Sequence, residues 1–157
     1  MSDKKVAIFP GSFDPITIGH EAIVKRGLSL FDEIIVAVGY NSNKNTYFSL
    51  SARMAMIEKV FEDEPAITVR GYDGLTVEFA KDAGARFILR GIRTSADFEY
   101  ERAIAQINKK MSGIESVFLL TTPEQTPVNS TIVRDILRHG GDATMFLPDK
   151  INIKDFI

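Results

Sequence analysis

Short runs of aliphatic and β-branched residues recur along the chain at Val6 to Phe9, Ile34 to Val38, Ile67 to Val69, Phe87 to Leu89 and Val117 to Leu120. Each suits a strand buried on both faces and is too short for a helix. Between them the apolar residues change to helical spacing. Ile23, Gly27, Leu28 and Phe31 stripe a helix over 21–31, and Met54, Ile57 and Phe61 stripe a second that Ser49 or Ser51 can cap. Leu75 to Ala83 forms a third, with Gly84 where a helix-ending glycine is expected. Phe98, Ile104, Ile107 and Met111 stripe a longer helix that Gly113 stops; Ile132, Ile136 and Leu137 stripe another that Gly140 and Gly141 stop. Strand alternating with helix predicts an α/β chain whose five-stranded parallel sheet carries helices on both faces. No repeat or low-complexity linker interrupts it. Residues 1–157 therefore read as a single domain, ending in a tail from about 148 to 157 that is a short packing helix or an interface segment.

In such a Rossmann-like sheet all strands end along one edge, which is where open α/β sheets bind ligands. The polar clusters fall at those ends. After the first strand, Gly11 to His20 forms a Gly- and Pro-stiffened turn into a helix, with His20 in the helix's first turn. Unpaired N–H groups and the positive dipole end make such a turn a ready anion site. Lys44 follows the second strand, Thr76 the third, and Arg90-Gly91-Ile92-Arg93 the fourth. After the fifth, Gln125 to Thr131 leads into a helix opened by Asn129, Ser130 and Thr131. Fixed cations beside small hydroxyl residues suit phosphates, and more than one of them. His139, just ahead of Gly140 and Gly141, sits where a histidine favours a helix C-terminus and is read as structural.

Composition narrows the chemistry. The 157 residues carry 19 basic and 21 acidic side chains, a formal charge of −2 that argues against a nucleic acid as partner. With no cysteine and two distant histidines, thiolate chemistry and a protein-held zinc ion are set aside. The apolar run behind Asp3-Lys4-Lys5 is only about four residues, too short for a signal segment or a membrane span. A cytoplasmic chain is the expectation. Neither G-x-x-x-x-G-K-[ST] nor G-x-G-x-x-G occurs, and G-x-S-x-G is missing too.

Gly11-Ser12-Phe13-Asp14-Pro15 followed by Thr17-Ile18-Gly19-His20 resembles the first signature of the nucleotidyltransferase superfamily with the (H/T)xGH motif. Asn129-Ser130-Thr131 with Arg134 resembles its second. Arg90-Gly91-Ile92-Arg93 with Asp97-Phe98-Glu99-Tyr100-Glu101 is similar to the bacterial phosphopantetheine adenylyltransferase family, over nearly the whole chain. The resemblance implies transfer of AMP from ATP to 4′-phosphopantetheine, giving dephospho-coenzyme A and pyrophosphate. It implies Mg²⁺ carried on ATP with no metal ligand from protein side chains, a homohexamer, and feedback by coenzyme A. Two positions depart from the family pattern: Ile18 replaces an asparagine, and Asn129 the first serine of its run.

The nucleophile of that reaction is an anionic phosphate, so no general base is needed, and positioning with charge stabilisation carries the rate. His20, Lys44, Ser12 and Arg90 are the catalytic candidates, with His20 a donor to the α-phosphate. By resemblance ATP is held by Ser12, Phe13, His20, Gly91, Ile92, Arg93, Glu101, Gln125, Thr126, Pro127, Val128, Asn129, Ser130 and Thr131. Phosphopantetheine is held by Ser12, Lys44, Thr76 and Arg90. Arg90 and Arg93 also have a plainer reading, in a solvated cluster with Asp97 and Glu101. Rival functions are another superfamily enzyme, such as a nicotinate mononucleotide adenylyltransferase or a cytidylyltransferase, and a non-catalytic nucleotide-binding module.

Overall fold

A computed structural model describes residues 3–41, 43 and 45–157. Lys44 lies outside the described residues. The five expected strands are present as β1 (Val6–Gly11), β2 (Glu33–Gly39), β3 (Ile67–Tyr72), β4 (Phe87–Ile92) and β5 (Glu115–Leu120), each slightly longer than its apolar run. All pair in parallel, in the order β3-β2-β1-β4-β5. The chain thus reverses its direction of travel across the sheet between β1 and β4, and this switch point leaves a crevice beyond their C-terminal ends.

The intervening segments are α1 (Ile18–Gly27), α2 (Leu50–Val60), α3 (Thr76–Asp82), α4 (Ser95–Ser112) and α5 (Ser130–Arg138). Alternate residues of the central strands feed two cores. Ala7, Phe9, Ile34, Val36 and Val38 pack with Ile23 and Val24 of α1, Met56 and Ile57 of α2 and Val133 of α5. Val6, Ile8, Ile35 and Ala37 pack with Val77 and Ala80 of α3 on the opposite face. The tail closes the first core: Leu147 and Ile151 are buried in it, and Ile153 and Phe156 of a short 3₁₀ turn pack against it.

Two helices differ from the hydrophobic pattern. α1 begins at Ile18 and ends at Gly27, ahead of the expected span 21–31 at both ends, because Thr17 caps it and the chain turns through Leu28 to Leu30. α4 ends at Gly113 as expected, where φ of 76° suits a glycine. Its apolar stripe is not a core face, however. No α4 residue is buried, and Phe98, Ile104, Ile107 and Met111 all remain exposed.

Candidate active site

The crevice is a cavity of about 400 Å³ walled by the ends of β1 and β4 and by the N-termini of α1 and α5. Two further hollows branch from it. One of about 670 Å³ shares Gly11 and Ser12 and extends past Gly39 to Tyr72 and Gly74. The other, about 280 Å³, shares Pro10, Gly11, Arg90, Tyr100 and Glu101 and runs under α4 to Thr76, Asn108 and Ser116. A ligand with a phosphate-rich end and a long arm has a place for each.

His20 owes its position to helix capping. Thr17 Oγ1 accepts from the His20 N–H at 3.4 Å, and His20 Nδ1 accepts from the Thr17 N–H at 3.0 Å. This is a capping box in which histidine takes the place usually held by glutamate or glutamine. Because Nδ1 accepts, the proton of the neutral ring belongs on Nε2, which is left as a donor. Phe13 meets the ring edge-on with centroids 5.0 Å apart, and Phe9 at 6.2 Å. Burial first, and the charges of Arg90 and Arg93 after it, together push the His20 pKa down to about 4. The site therefore presents a neutral imidazole N–H at neutral pH.

Arg90 is oriented from two sides. Its Nη1 donates to the Pro10 carbonyl at 2.7 Å, and its Nε and Nη2 both donate to Glu101 Oε1. Arg93 Nε donates to Asp97 at 3.2 Å. Both readings of these arginines are thus compatible: they pair with the acids, and they still line the cavity. Glu101, expected at ATP, lines the cavity and grips Arg90 there.

At the facing wall, Asn129 caps α5 by accepting from the Ile132 N–H at 2.9 Å. The departure from serine at this position leaves the cap intact. The Ser130 hydroxyl donates to the Pro15 carbonyl at 2.7 Å, and Arg134 donates to the Asp14 carbonyl at 2.8 Å, so α5 is stitched to the turn after β1. That turn is tight: a Cβ on Gly11 would lie 3.1 Å from the Phe13 ring.

Of the expected ATP residues, Ser12, Phe13, His20, Gly91, Arg93, Glu101, Gln125, Val128, Asn129 and Ser130 line the cavity. Four do not. The Ile92 side chain is buried, Thr126 Oγ1 donates to the Thr122 carbonyl at 3.1 Å, Thr131 Oγ1 accepts from Arg134 at 3.1 Å, and Pro127 is exposed outside the wall. Thr76 lies in the smallest hollow beside Arg90, where its hydroxyl is 2.9 Å from that of Tyr72. Sequence reasoning missed Tyr100 at the junction of two hollows, and it missed Arg53. An arginine three and four residues before Met56 and Ile57 falls on a buried helical face, which was the available signal.

A family model described as cytidylyltransferase-like matches residues 8–136. A phosphopantetheine adenylyltransferase of Flavobacterium johnsoniae is 56% identical over 148 residues, covering 94% of this chain and 97% of that protein. Proteins of the same name from Phocaeicola vulgatus and Porphyromonas gingivalis are 53% and 44% identical, over 94% and 93% of the chain and 97% and 95% of their own lengths. Among solved structures, a bifunctional NMN adenylyltransferase/ADP ribose pyrophosphatase from Francisella tularensis superposes with a TM-score of 0.72 at 15% identity. It is matched over 94% of this chain and 46% of its own, a likeness of fold.

Proposed function

The chain belongs to the phosphopantetheine adenylyltransferase family, and from that membership together with the site's geometry we infer how its residues carry the reaction. The reaction joins ATP and 4′-phosphopantetheine into dephospho-coenzyme A. A phosphate oxygen of phosphopantetheine attacks the α-phosphorus in line, the bond from that phosphorus to the bridging oxygen breaks, and pyrophosphate leaves. The nucleophile is already anionic, so no side chain has to remove a proton.

The observation that carries the reading is the convergence of three phosphate-facing elements on one cavity: the Ser12 to His20 turn, the end of β4 with Arg90, and the α5 N-terminus. ATP lies between α1 and α5, with its α-phosphate at the Nε2 donor of His20 and its remaining phosphates toward Arg93 and Ser130. Arg90, shared by the main cavity and the hollow under α4, holds the phosphopantetheine phosphate, and the pantetheine arm passes Thr76. Ser12 lines the main cavity, where the phosphates of both substrates meet. Lys44 completes the set by resemblance. Magnesium enters as part of MgATP, the usual mode when substrate phosphates supply most ligands. Coenzyme A feeds back because it shares the arm's hollow with the substrate.

Residues 1–157 act as one catalytic domain. Its assembly is a homohexamer, a reading supported by the apolar residues that α4 leaves exposed, with Ile107 at 56% and Met111 at 59%. No helix among the described residues is long and apolar enough to cross a membrane. The cytoplasm, which supplies ATP, is the compartment for this activity.

The test is pyrophosphate release coupled to a colour reaction, with ATP and either 4′-phosphopantetheine or nicotinate mononucleotide. Turnover with phosphopantetheine alone is expected. Turnover with nicotinate mononucleotide alone would transfer the chain to the rival substrate class, and ATP binding with no turnover at all would make it a regulatory module.

A further inference from the structure

α2 carries a cation into the packed side of the sheet. Arg53 shares a helical face with Met56, Ile57 and Val60 and is only 2% exposed. Its Nη1 donates to the Ser12 carbonyl at 2.7 Å and to the Gly39 carbonyl at 3.2 Å, while Nε donates to the Phe48 carbonyl at 3.2 Å. Those carbonyls belong to the turn after β1, the end of β2 and the segment leading into α2. Burying a guanidinium costs several kcal/mol before its bonds offset it, so an arginine spent on backbone carbonyls implies that their placement matters. Asp14, itself buried, fastens the same pieces from the other side by accepting from the Tyr47 and Phe48 N–H groups at 2.8 and 2.9 Å.

What Arg53 holds is a strained peptide. Phe13 has φ of 48°, a left-handed conformation that a bulky residue rarely adopts. In a planar trans peptide the carbonyl and the next N–H point in opposite directions. With the Ser12 carbonyl drawn to Arg53, the Phe13 N–H faces away from α2, on the side where Ser12 and Phe13 line the cavity and Arg53 does not. Among the described residues no backbone or side-chain acceptor takes that N–H.

We propose that Arg53 is a positioning residue: by gripping the Ser12 carbonyl it holds the Ser12–Phe13 peptide so that the Phe13 N–H donates to the α-phosphate of ATP. This rests on the adenylyltransferase reading above. The grip on Gly39 extends the same control to the end of β2, from which the 40–48 connection starts. A donor aimed in advance at developing charge works mainly in the transition state, so its misalignment lowers kcat more than ground-state affinity.

The experiment compares wild type, Arg53→Lys and Arg53→Met in three measurements: steady-state turnover with ATP and 4′-phosphopantetheine, ATP affinity by calorimetry, and the Phe13 amide signal in ¹⁵N-phenylalanine-labelled protein with and without MgATP. Lysine keeps the charge and cannot span Ser12 and Gly39 as a fork. Arg53→Lys is expected to keep its ATP Kd within about threefold while kcat drops about tenfold or more, and Arg53→Met to lose about a hundredfold. The Phe13 amide should move downfield with MgATP in wild type and much less in Arg53→Lys. Should Arg53→Met fail to fold, Arg53→Lys decides. Wild-type kcat in folded Arg53→Lys, or a Phe13 amide indifferent to MgATP in wild type, overturns the proposal. If wild type itself turns nothing over, the substrate reading fails, and the amide response still judges the positioning role separately.

Discussion

Replacing His20 separates two jobs that one ring performs. On its Nδ1 side the ring closes the capping box of α1; on its Nε2 side it presents a donor to the cavity. His20→Ala removes both. Loss of the cap leaves the Thr17 N–H without its acceptor and costs about 1 kcal/mol, or roughly 2–4 °C in Tm for a domain of this size. Loss of a preorganised donor costs about a hundredfold to a thousandfold in kcat, on the order of 3–4 kcal/mol of transition-state stabilisation, with little change in KM. His20→Glu takes the two apart. Glutamate is the ordinary capping-box partner and its charge suits a helix N-terminus flanked by Arg90 and Arg93, so the melting temperature should return to or exceed that of wild type. Catalysis should stay at or below the alanine level, because a carboxylate accepts, cannot donate and repels the α-phosphate. Thermal melts and pyrophosphate release on the three proteins check both halves. A His20→Glu protein as unstable as His20→Ala would refute the capping argument; His20→Ala within about threefold of wild-type kcat would refute the donor.

The His20 pKa of about 4 gives a linked expectation: between about pH 6.5 and pH 4 the unfolded chain holds a proton that the folded one refuses, so this residue's contribution to stability is intact above about 6.5 and is lost as pH falls through about 4. Denaturant melts across that range should show a smaller acid-side loss in His20→Gln than in wild type, and equal losses would contradict it. Removing a nearby cation should raise the pKa, so Arg90→Gln moves the His20 midpoint upward in a ring-nitrogen NMR titration. Arg90→Ala should weaken phosphopantetheine binding more than ATP binding by calorimetry, and the reverse order would reassign Arg90 to the nucleotide. Gly27→Ala should destabilise by about 1–3 kcal/mol despite its better helix propensity, since the new Cβ would lie 2.8 Å from Leu89 Cδ2 and 2.9 Å from Ile34 Cδ1; a raised Tm would show that the core yields there. Ile107→Asp should dissociate the assembly in sedimentation runs, and an unchanged mass would remove the α4 face from the interface.

The sheet was legible because its central strands β1 and β2 are buried on both faces and read as unbroken apolar runs, while the half-exposed edge strands β3 and β5 still carry short β-branched or aliphatic runs; the site was legible at coarse grain because every strand end carried a polar cluster. What escaped had a different physical origin. The α1 start was set by a reciprocal cap in which histidine stands in for glutamate, a pairing that hydrophobic spacing does not register. The α4 stripe has the period of a core helix, and period alone does not distinguish a residue awaiting its own core from one awaiting another surface. The pairing of Arg90 and Arg93 with Glu101 and Asp97 was open to the sequence, Arg93 and Asp97 being four apart, but the sequence could not show that both arginines would line the cavity while paired. Arg53 was hidden for a similar reason: its partners are carbonyls, and any residue supplies a carbonyl.

The pairing of both arginines bears on the proposed chemistry. In the free protein Arg90 and Arg93 lower the His20 pKa, so their charge is felt at the ring even while Glu101 and Asp97 hold them. Arriving phosphates oppose that field, and as negative charge gathers on the α-phosphate the imidazole becomes easier to protonate and its N–H bond more polar. The donor strengthens where the reaction needs it, so stabilisation is greater for the transition state than for bound ATP. A permanently cationic residue in place of His20 would grip ATP and the transition state more evenly. His20→Lys is accordingly expected to bind ATP at least as tightly as wild type while kcat falls, and a lysine variant with both tight binding and wild-type turnover would show that fixed charge alone suffices at this position.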